Sequence, residues 1–168
     1  MAIFGGKGIE NLNELFVDEL KNIYYMENEI VDSLPSMIEA ATSEDLKQAL
    51  SSHLEETKNQ VTRLEQVFEK CDLPRENGAC ATIDALIDEA GAAPSDIKDK
   101  RVLDAAIIAS AQQIEHHEIS VYGSIIAWAK ELGEDECASI LAQTLEEEKT
   151  ADRKLSSLAE GGVNREAA

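Results

Sequence analysis

Glutamates recur in this chain at positions where a helical protein ordinarily places leucine. In the run Ala111-Gln112-Gln113-Ile114-Glu115-His116-His117-Glu118-Ile119-Ser120-Val121-Tyr122, a 3.6-residue pitch sets Ala111, Glu115, Glu118, Tyr122 and Ile125 on one side, with Ile107 and Ile108 from the turn before. Glu27 lies on the seam of Leu12, Phe16, Leu20, Ile23, Ile30 and Leu34. His53, Glu56 and Gln60, three and four apart, share the face of Leu46, Leu50, Leu54, Leu64 and Phe68. Glu148 and Asp152 follow the seam of Ile140 or Leu141, Leu145 and Leu155. Burying an ionised carboxylate costs several kcal/mol unless a cation or a hydrogen-bonding network compensates, so the pattern calls for metal. For single positions a bland reading stands beside this one. Glu27 at a stripe edge can reach solvent, and a lone His53 is as well explained as a satisfied core residue. Glu146 and Glu147 of the Glu-Glu-Glu run read as a solvated charge cluster.

Taken together the acids are harder to dismiss, because all four long helical stretches place them near mid-length. A helix of about thirty residues spans roughly 45 Å, so antiparallel rods can bring their mid-length side chains into one layer. Glu27, Glu56, Glu115, Glu118 and Glu148 would supply hard oxygen ligands, with His53 or Asp152 as extras. Carboxylate-rich donors with at most one or two nitrogens suit a pair of iron ions, or manganese, better than zinc. Two divalent ions carry enough positive charge to offset four of those carboxylates.

The elements that must position these residues are legible in the apolar periodicity and its breaks. The first helix is expected from about Asn11 to Ala41, kinked or weakened at Pro35; Thr42 and Ser43 then turn the chain into a second, from about Glu44 to Lys70. Pro74, Gly78, Gly91 and Pro94 punctuate a long connection holding one short helix, Thr82 to Ala90. The third long helix runs from about Asp99 to Leu132, ends at Gly133, and the fourth covers Glu134 to Leu158 before a frayed tail. Two tight hairpins joined by a long crossover between the second and third helices give an all-α, ferritin-like four-helix bundle. One domain over 1–168 is expected, with the bundle at about 9–159 and the tail at 160–168.

Composition narrows the function classes. With 34 acidic against 15 basic residues and a formal charge of −19, the chain lacks the basic clusters that nucleic acid or anionic membranes require. No apolar run approaches the roughly 20 residues of a membrane span, and Met1 to Gly8 has no signal-peptide core, so a cytoplasmic location is expected. Cys71, Cys80 and Cys137 match no zinc ribbon or Cys-x-x-Cys; ordinary reduced thiols are expected, with a Cys71 to Cys80 bridge as the alternative. Trp128 with Ile126 reads either as an outward apolar patch, which would favour a homodimer, or as core.

Three segments also carry a resemblance. His53-Leu54-Glu55-Glu56-Thr57 with Gln60, Glu115-His116-His117-Glu118-Ile119 with Tyr122-Gly123, and Leu145-Glu146-Glu147-Glu148-Lys149 with Asp152 resemble the YciE/YciF group of ferritin-like bacterial stress proteins. Tyr24 with Met26-Glu27 resembles that group's first-helix motif, and the similarity runs from about Ile9 to Leu158. The resemblance implies a rubrerythrin-type di-metal bundle. One departure matters: ferritin-like sites usually read Glu-x-x-His on the second and fourth helices, whereas Glu56 and Glu148 are followed at that spacing by Asn59 and Ala151. His53, one turn earlier, is then the nitrogen ligand at hand, or the site is almost wholly oxygen.

The function expected on these grounds is a di-iron, or di-manganese, oxidase or peroxidase-like protein that reacts with dioxygen or hydrogen peroxide. Tyr122 or Tyr24 would tune the centre. Iron binding or storage without turnover, and a metal-free structural bundle, are the alternatives from other classes.

Overall fold

The computed structural model describes residues 8–168, so the segment read above for a secretion signal lies almost wholly outside it. Five helices account for most of the described chain: α1 Leu12–Ala40, α2 Glu44–Lys70, α3 Ala81–Asp96, α4 Lys100–Glu131 and α5 Asp135–Leu158. No strand occurs among the described residues. The chain beyond α5 is helical rather than frayed: a π-helical turn, Ala159–Val163, leads into α6, Asn164–Ala167, and Val163 is buried. One apolar residue at the right pitch, docked on the bundle, holds what composition alone reads as a loose tail.

The ends of the helices follow from local chemistry. Asn11 caps α1 by accepting from the Glu14 N–H at 3.0 Å, while Glu14 accepts in return from the Glu10 N–H at 2.8 Å. Ser43 caps α2 and Asp99 caps α4. Gly133, at φ +80, closes α4 with the Glu134 N–H bonded to the Ala129 carbonyl at 2.8 Å, the six-to-one bond of a left-handed C-terminus. Asp72 does the same for α2 at φ 51, with Leu73 N–H on the Phe68 carbonyl at 2.9 Å. Neither proline ends its helix. α1 runs on through Pro35, and α3 continues past Gly91 and Pro94 to Asp96. Each proline forfeits a single backbone bond near a helix end, and the rest of the helix is held by packing.

Cross-contacts set the topology. Glu27 meets Tyr122 while Thr42 meets Asp104, so α1 and α4 run antiparallel; Gln60 meets Glu148 while Lys70 meets Glu136, so α2 and α5 do too. It follows that α2 and α4 point the same way, and residues 71–99 must travel the length of the bundle to join them. α3 makes that passage against α1 and α4, with Ile83 fully buried and the Tyr25 hydroxyl donating to Asp84 at 2.8 Å. Gly78 pins the crossover: its N–H donates to the Lys21 carbonyl at 2.8 Å, and a Cβ there would lie 2.6 Å from the Asn22 backbone nitrogen. This is ferritin-like connectivity. Ile126 is buried and Trp128 is partly buried against the core, so the outward apolar patch weighed above is absent.

Asp104 shows how this fold satisfies a buried acid. Its carboxylate accepts from Thr42 N–H (2.7 Å), the Thr42 hydroxyl (2.6 Å) and Ser43 N–H (2.9 Å), tying the α1–α2 turn to α4. Asp104→Ala is expected to lower the unfolding free energy in urea by about 3 kcal/mol, since two backbone donors and a hydroxyl lose a charged acceptor. Metal content should not change; a loss of less than about 1 kcal/mol would show that the turn holds without this tie.

Candidate metal centre

The acidic positions on α1, α2, α4 and α5 all fall near the middle of their helices, and the bundle brings most of them together. His53, Glu115, Glu118 and Glu148 each offer a ligand atom within 4.8 Å of one another, and all four residues are buried. Glu27 closes the same space from α1, fully buried, with one oxygen accepting from the Tyr122 hydroxyl at 2.5 Å. Glu56 is half-buried and lines, with His53, Glu115, Ala151 and Lys154, a small cavity of about 20 Å³ beside the cluster. Ala49 and Lys154 are shared between that cavity and a surface cleft of about 560 Å³ between α2 and α5.

Hydrogen bonding separates this cluster from Asp104. Oε2 of Glu27, Oε2 of Glu115, both oxygens of Glu118 and Oε2 of Glu148 are buried without a partner, as is Nδ1 of His53. Nature rarely leaves buried polar atoms unpaired, and here six converge in one layer. Oxygen donors in excess, with one imidazole, are what a pair of hard divalent ions would use. The residues therefore fit such a group.

Without cations the cluster must hold protons instead. Burial, then the Glu148 charge, raises Glu27 well above its ordinary range, and burial likewise raises Glu118. Glu115 is pushed up to about 8, chiefly by burial, and Glu148 to about 10 by burial and by Glu115 beside it. Magnitudes explain why protonation wins. Two ionised carboxylates 4.8 Å apart repel by about 3.5 kcal/mol at an effective dielectric of about 20, before desolvation is counted. Protonating an ordinary carboxylate at neutral pH costs about 3.4 kcal/mol. Burial drives His53 down to about 4, so its Nε2, 3.3 Å from Glu115 Oε1, belongs to a neutral imidazole. The spacing is that of an ion pair; the charges are not.

Other residues depart from their sequence reading. Asp152 stands outside the cluster, accepting from Gln112 at 2.9 Å with His116 Nε2 3.3 Å away, because its extra helical turn carries it to the α4–α5 seam. Glu147 is part-buried and paired rather than free in solvent: Arg63 grips it with two bonds, 2.5 and 2.6 Å, and Gln60 donates to it at 3.1 Å. Burial would raise its pKa, but those bonds outweigh burial and hold it below the usual range. Glu146 does face solvent, paired with Lys149. Gln60 also donates to Glu148 Oε1, so it and Arg63 orient the α5 acids; Arg63 lies off the apolar stripe of α2, so its role has no local signature in the sequence. Of the two tyrosines only Tyr122 reaches the centre, since Tyr24 bonds Glu65 at 3.2 Å and stacks edge-on to Phe68. All three cysteines are free, as expected, but Cys71 lies next to Cys137 rather than Cys80.

These shifts fix how metal-free protein responds to pH. At pH 6.5 His53 is neutral when folded and about half protonated when unfolded, which opposes the trend slightly; by about pH 7.5 it is neutral in both states, while the cluster carboxyls hold protons only when folded. Raised folded-state pKa values mean stability present at low pH and lost as pH rises. The unfolding free energy of metal-free protein is expected to fall from pH 6.5 to 8 by about 1.4 kcal/mol per pH unit for each carboxyl still protonated. Urea titrations at several pH values would show it, and a flat or rising profile would mean that the carboxyls ionise inside the bundle.

Known proteins place the chain in context. It is 37% identical over 160 residues to Protein YciF of Escherichia coli (strain K12), covering 95% of this chain and 96% of that one. Among solved structures, the E. coli stress protein YciF superposes with a TM-score of 0.89 at 37% identity, over 93% of this chain and 99% of that. YcfI from Rhodopseudomonas palustris, to which a structural role is provisionally ascribed, gives 0.88 at 48% identity, over 92% and 98%. No helix among the described residues is long and apolar enough to cross a membrane. Residues 11–168 match the family model described as Domain of unknown function (DUF892), and the chain is a member of that family, close in sequence and fold to YciF.

Proposed function

We propose that this protein binds a pair of metal ions, iron before manganese, among Glu27, His53, Glu56, Glu115, Glu118 and Glu148, and uses them to react with dioxygen or hydrogen peroxide. The observation that carries the reading is Glu118: a fully buried glutamate with neither oxygen bonded, in a fold that gives buried Asp104 three donors. A ferrous pair would supply two electrons to dioxygen or peroxide and leave ferric ions that the carboxylates stabilise.

The chain's own residues have separable tasks in this scheme. Tyr122 donates to Glu27 and leaves that residue's second oxygen free. Gln60, itself steered by Glu147, aims Glu148. Arg63 anchors Glu147 from the side, so one positive charge stays near the centre without entering it. Neutral His53 keeps a lone pair available at neutral pH. The cleft that meets the small cavity at Ala49 and Lys154 would offer a small molecule an approach past Glu56. Asp152, bonded elsewhere, is the weakest member of the expected ligand set. A reducing cytoplasm, where ferrous iron is available and the three cysteines stay out of disulfides, suits the reading, as does a stress-response role like that named for YciF.

A second reading, a structural bundle without metal, takes its support from the role ascribed to YcfI. The two separate cleanly. Protein loaded anaerobically with ferrous iron is expected to retain two ions per chain, counted by inductively coupled plasma mass spectrometry, and to consume peroxide as they oxidise. Glu118→Ala should lose at least one ion with its helical circular dichroism unchanged. Wild-type protein that takes up no iron or manganese supports the structural bundle, and full occupancy in the variant contradicts the ligand assignment.

A further inference from the structure

The bundle carries a second group of ligating side chains at its far end. Cys71, the C-terminal cap of α2, and Cys137, in the first turn of α5, bring their sulfurs to 3.3 Å, and Glu134, the residue before α5, completes a trio of donor atoms within 4.8 Å of one another. Eleven residues of α2 separate Cys71 from Gln60, about 16 Å along the helix, so this trio is no part of the glutamate centre. We propose that Cys71, Cys137 and Glu134 bind a zinc ion, with water in the fourth position.

Two features favour a soft-donor metal site over packing or a disulfide. Zinc bonded to two thiolates at about 2.3 Å in a tetrahedron holds the sulfurs about 3.8 Å apart, a small opening from 3.3 Å. A disulfide needs about 2.05 Å, a closure of more than 1 Å, and leaves Glu134 without a role. Second, the sulfurs differ in access: Cys137 is 1% exposed while Cys71 is half-buried and Glu134 faces solvent, so an ion has an inner anchor and an open side. Glu134 also sits just beyond the left-handed turn at Gly133, where its backbone is fixed by the bond to Ala129. The donor set is chemically opposite to the other: two sulfurs and one oxygen prefer zinc, whereas one nitrogen and many oxygens prefer iron or manganese.

The experiment uses the whole chain, reduced and desalted without oxygen, with cadmium as the spectroscopic stand-in for zinc. Sulfur-to-cadmium charge transfer in the ultraviolet is expected to saturate at one equivalent per chain, and zinc should bleach it by displacement. Cys71→Ser and Cys137→Ser should each abolish the band. Cys71→Ser lies at a helix end and keeps the test open should the buried Cys137 variant fail to fold. Glu134→Gln should weaken binding by more than the roughly tenfold that loss of a ligand's supporting partner costs. Cys80→Ser and Glu118→Ala should leave the band intact, so failure here and failure of the iron reading are separately visible. The proposal is overturned by a band that survives in both cysteine variants, by saturation at half an equivalent, which would mean two chains sharing an ion, or by a Cys71–Cys137 disulfide forming in place of metal uptake.

Discussion

Carboxylates that repel one another across less than 5 Å in a dry interior are the constraint on which this molecule turns. Desolvation and mutual repulsion are each worth several kcal/mol, comparable with the net stability of a whole domain. The fold has two ways to tolerate an inward acid, and it uses both. Asp104 receives three hydrogen bonds from the α1–α2 turn and needs nothing more. Glu27, Glu115, Glu118 and Glu148 receive far fewer and are left to protons or cations. Since the same backbone builds both arrangements, the want of donors at the centre is a property of that layer and not of the fold's general ability to supply them.

Bringing those acids to one depth is a problem of topology. Four rods contribute side chains from their midpoints only if their ends are level, and the tight α1–α2 and α4–α5 turns level them in pairs. The pairs must then be aligned with each other. The crossover does this, because α2 and α4 run parallel and α3 spans the return along α1 and α4. Gly78 sets the register of that return: its N–H on the Lys21 carbonyl leaves no room for a side chain against Asn22. A residue remote from the chemistry thus takes part in fixing the height at which Glu115 and Glu118 meet Glu27.

What the sequence revealed, and what it hid, divides along the line between local pitch and cross-helix pairing. Glu27, Glu115, Glu118 and Glu148 were legible because each interrupts an apolar stripe whose 3.6-residue period is unambiguous, and the helix ends were legible because Asn11, Ser43, Asp99 and Gly133 carry capping chemistry. Glu56 was read as a ligand ahead of His53, whereas the structure buries His53 in the cluster and leaves Glu56 half-buried beside it, since both lie on one face and only the neighbouring rods determine which is buried. Asp152 has the right pitch, yet Gln112 and His116 hold it at the α4–α5 seam. Glu147 read as solvated because its partner, Arg63, lies eighty-four residues earlier on another helix. Cys71 and Cys137 were missed for the same reason: distance along the chain says nothing of the adjacency that antiparallel α2 and α5 create.

Nitrogen placement gives the centre its chemical character. The usual ferritin-like pattern puts a histidine one turn after each of two glutamates, and this chain has Asn59 and Ala151 there instead. The available imidazole comes one turn before Glu56, is neutral across the physiological range, and meets Glu115 from α4. One imidazole in place of two leaves a donor set richer in oxygen, which would suit hard ions such as iron or manganese. It also leaves the side of the cluster that faces Glu56 and Lys154 less filled, and the small cavity lies on that side. Missing histidines and an open flank are therefore two views of one substitution: at α5 the position of the usual histidine is Ala151, and the small cavity lies against it.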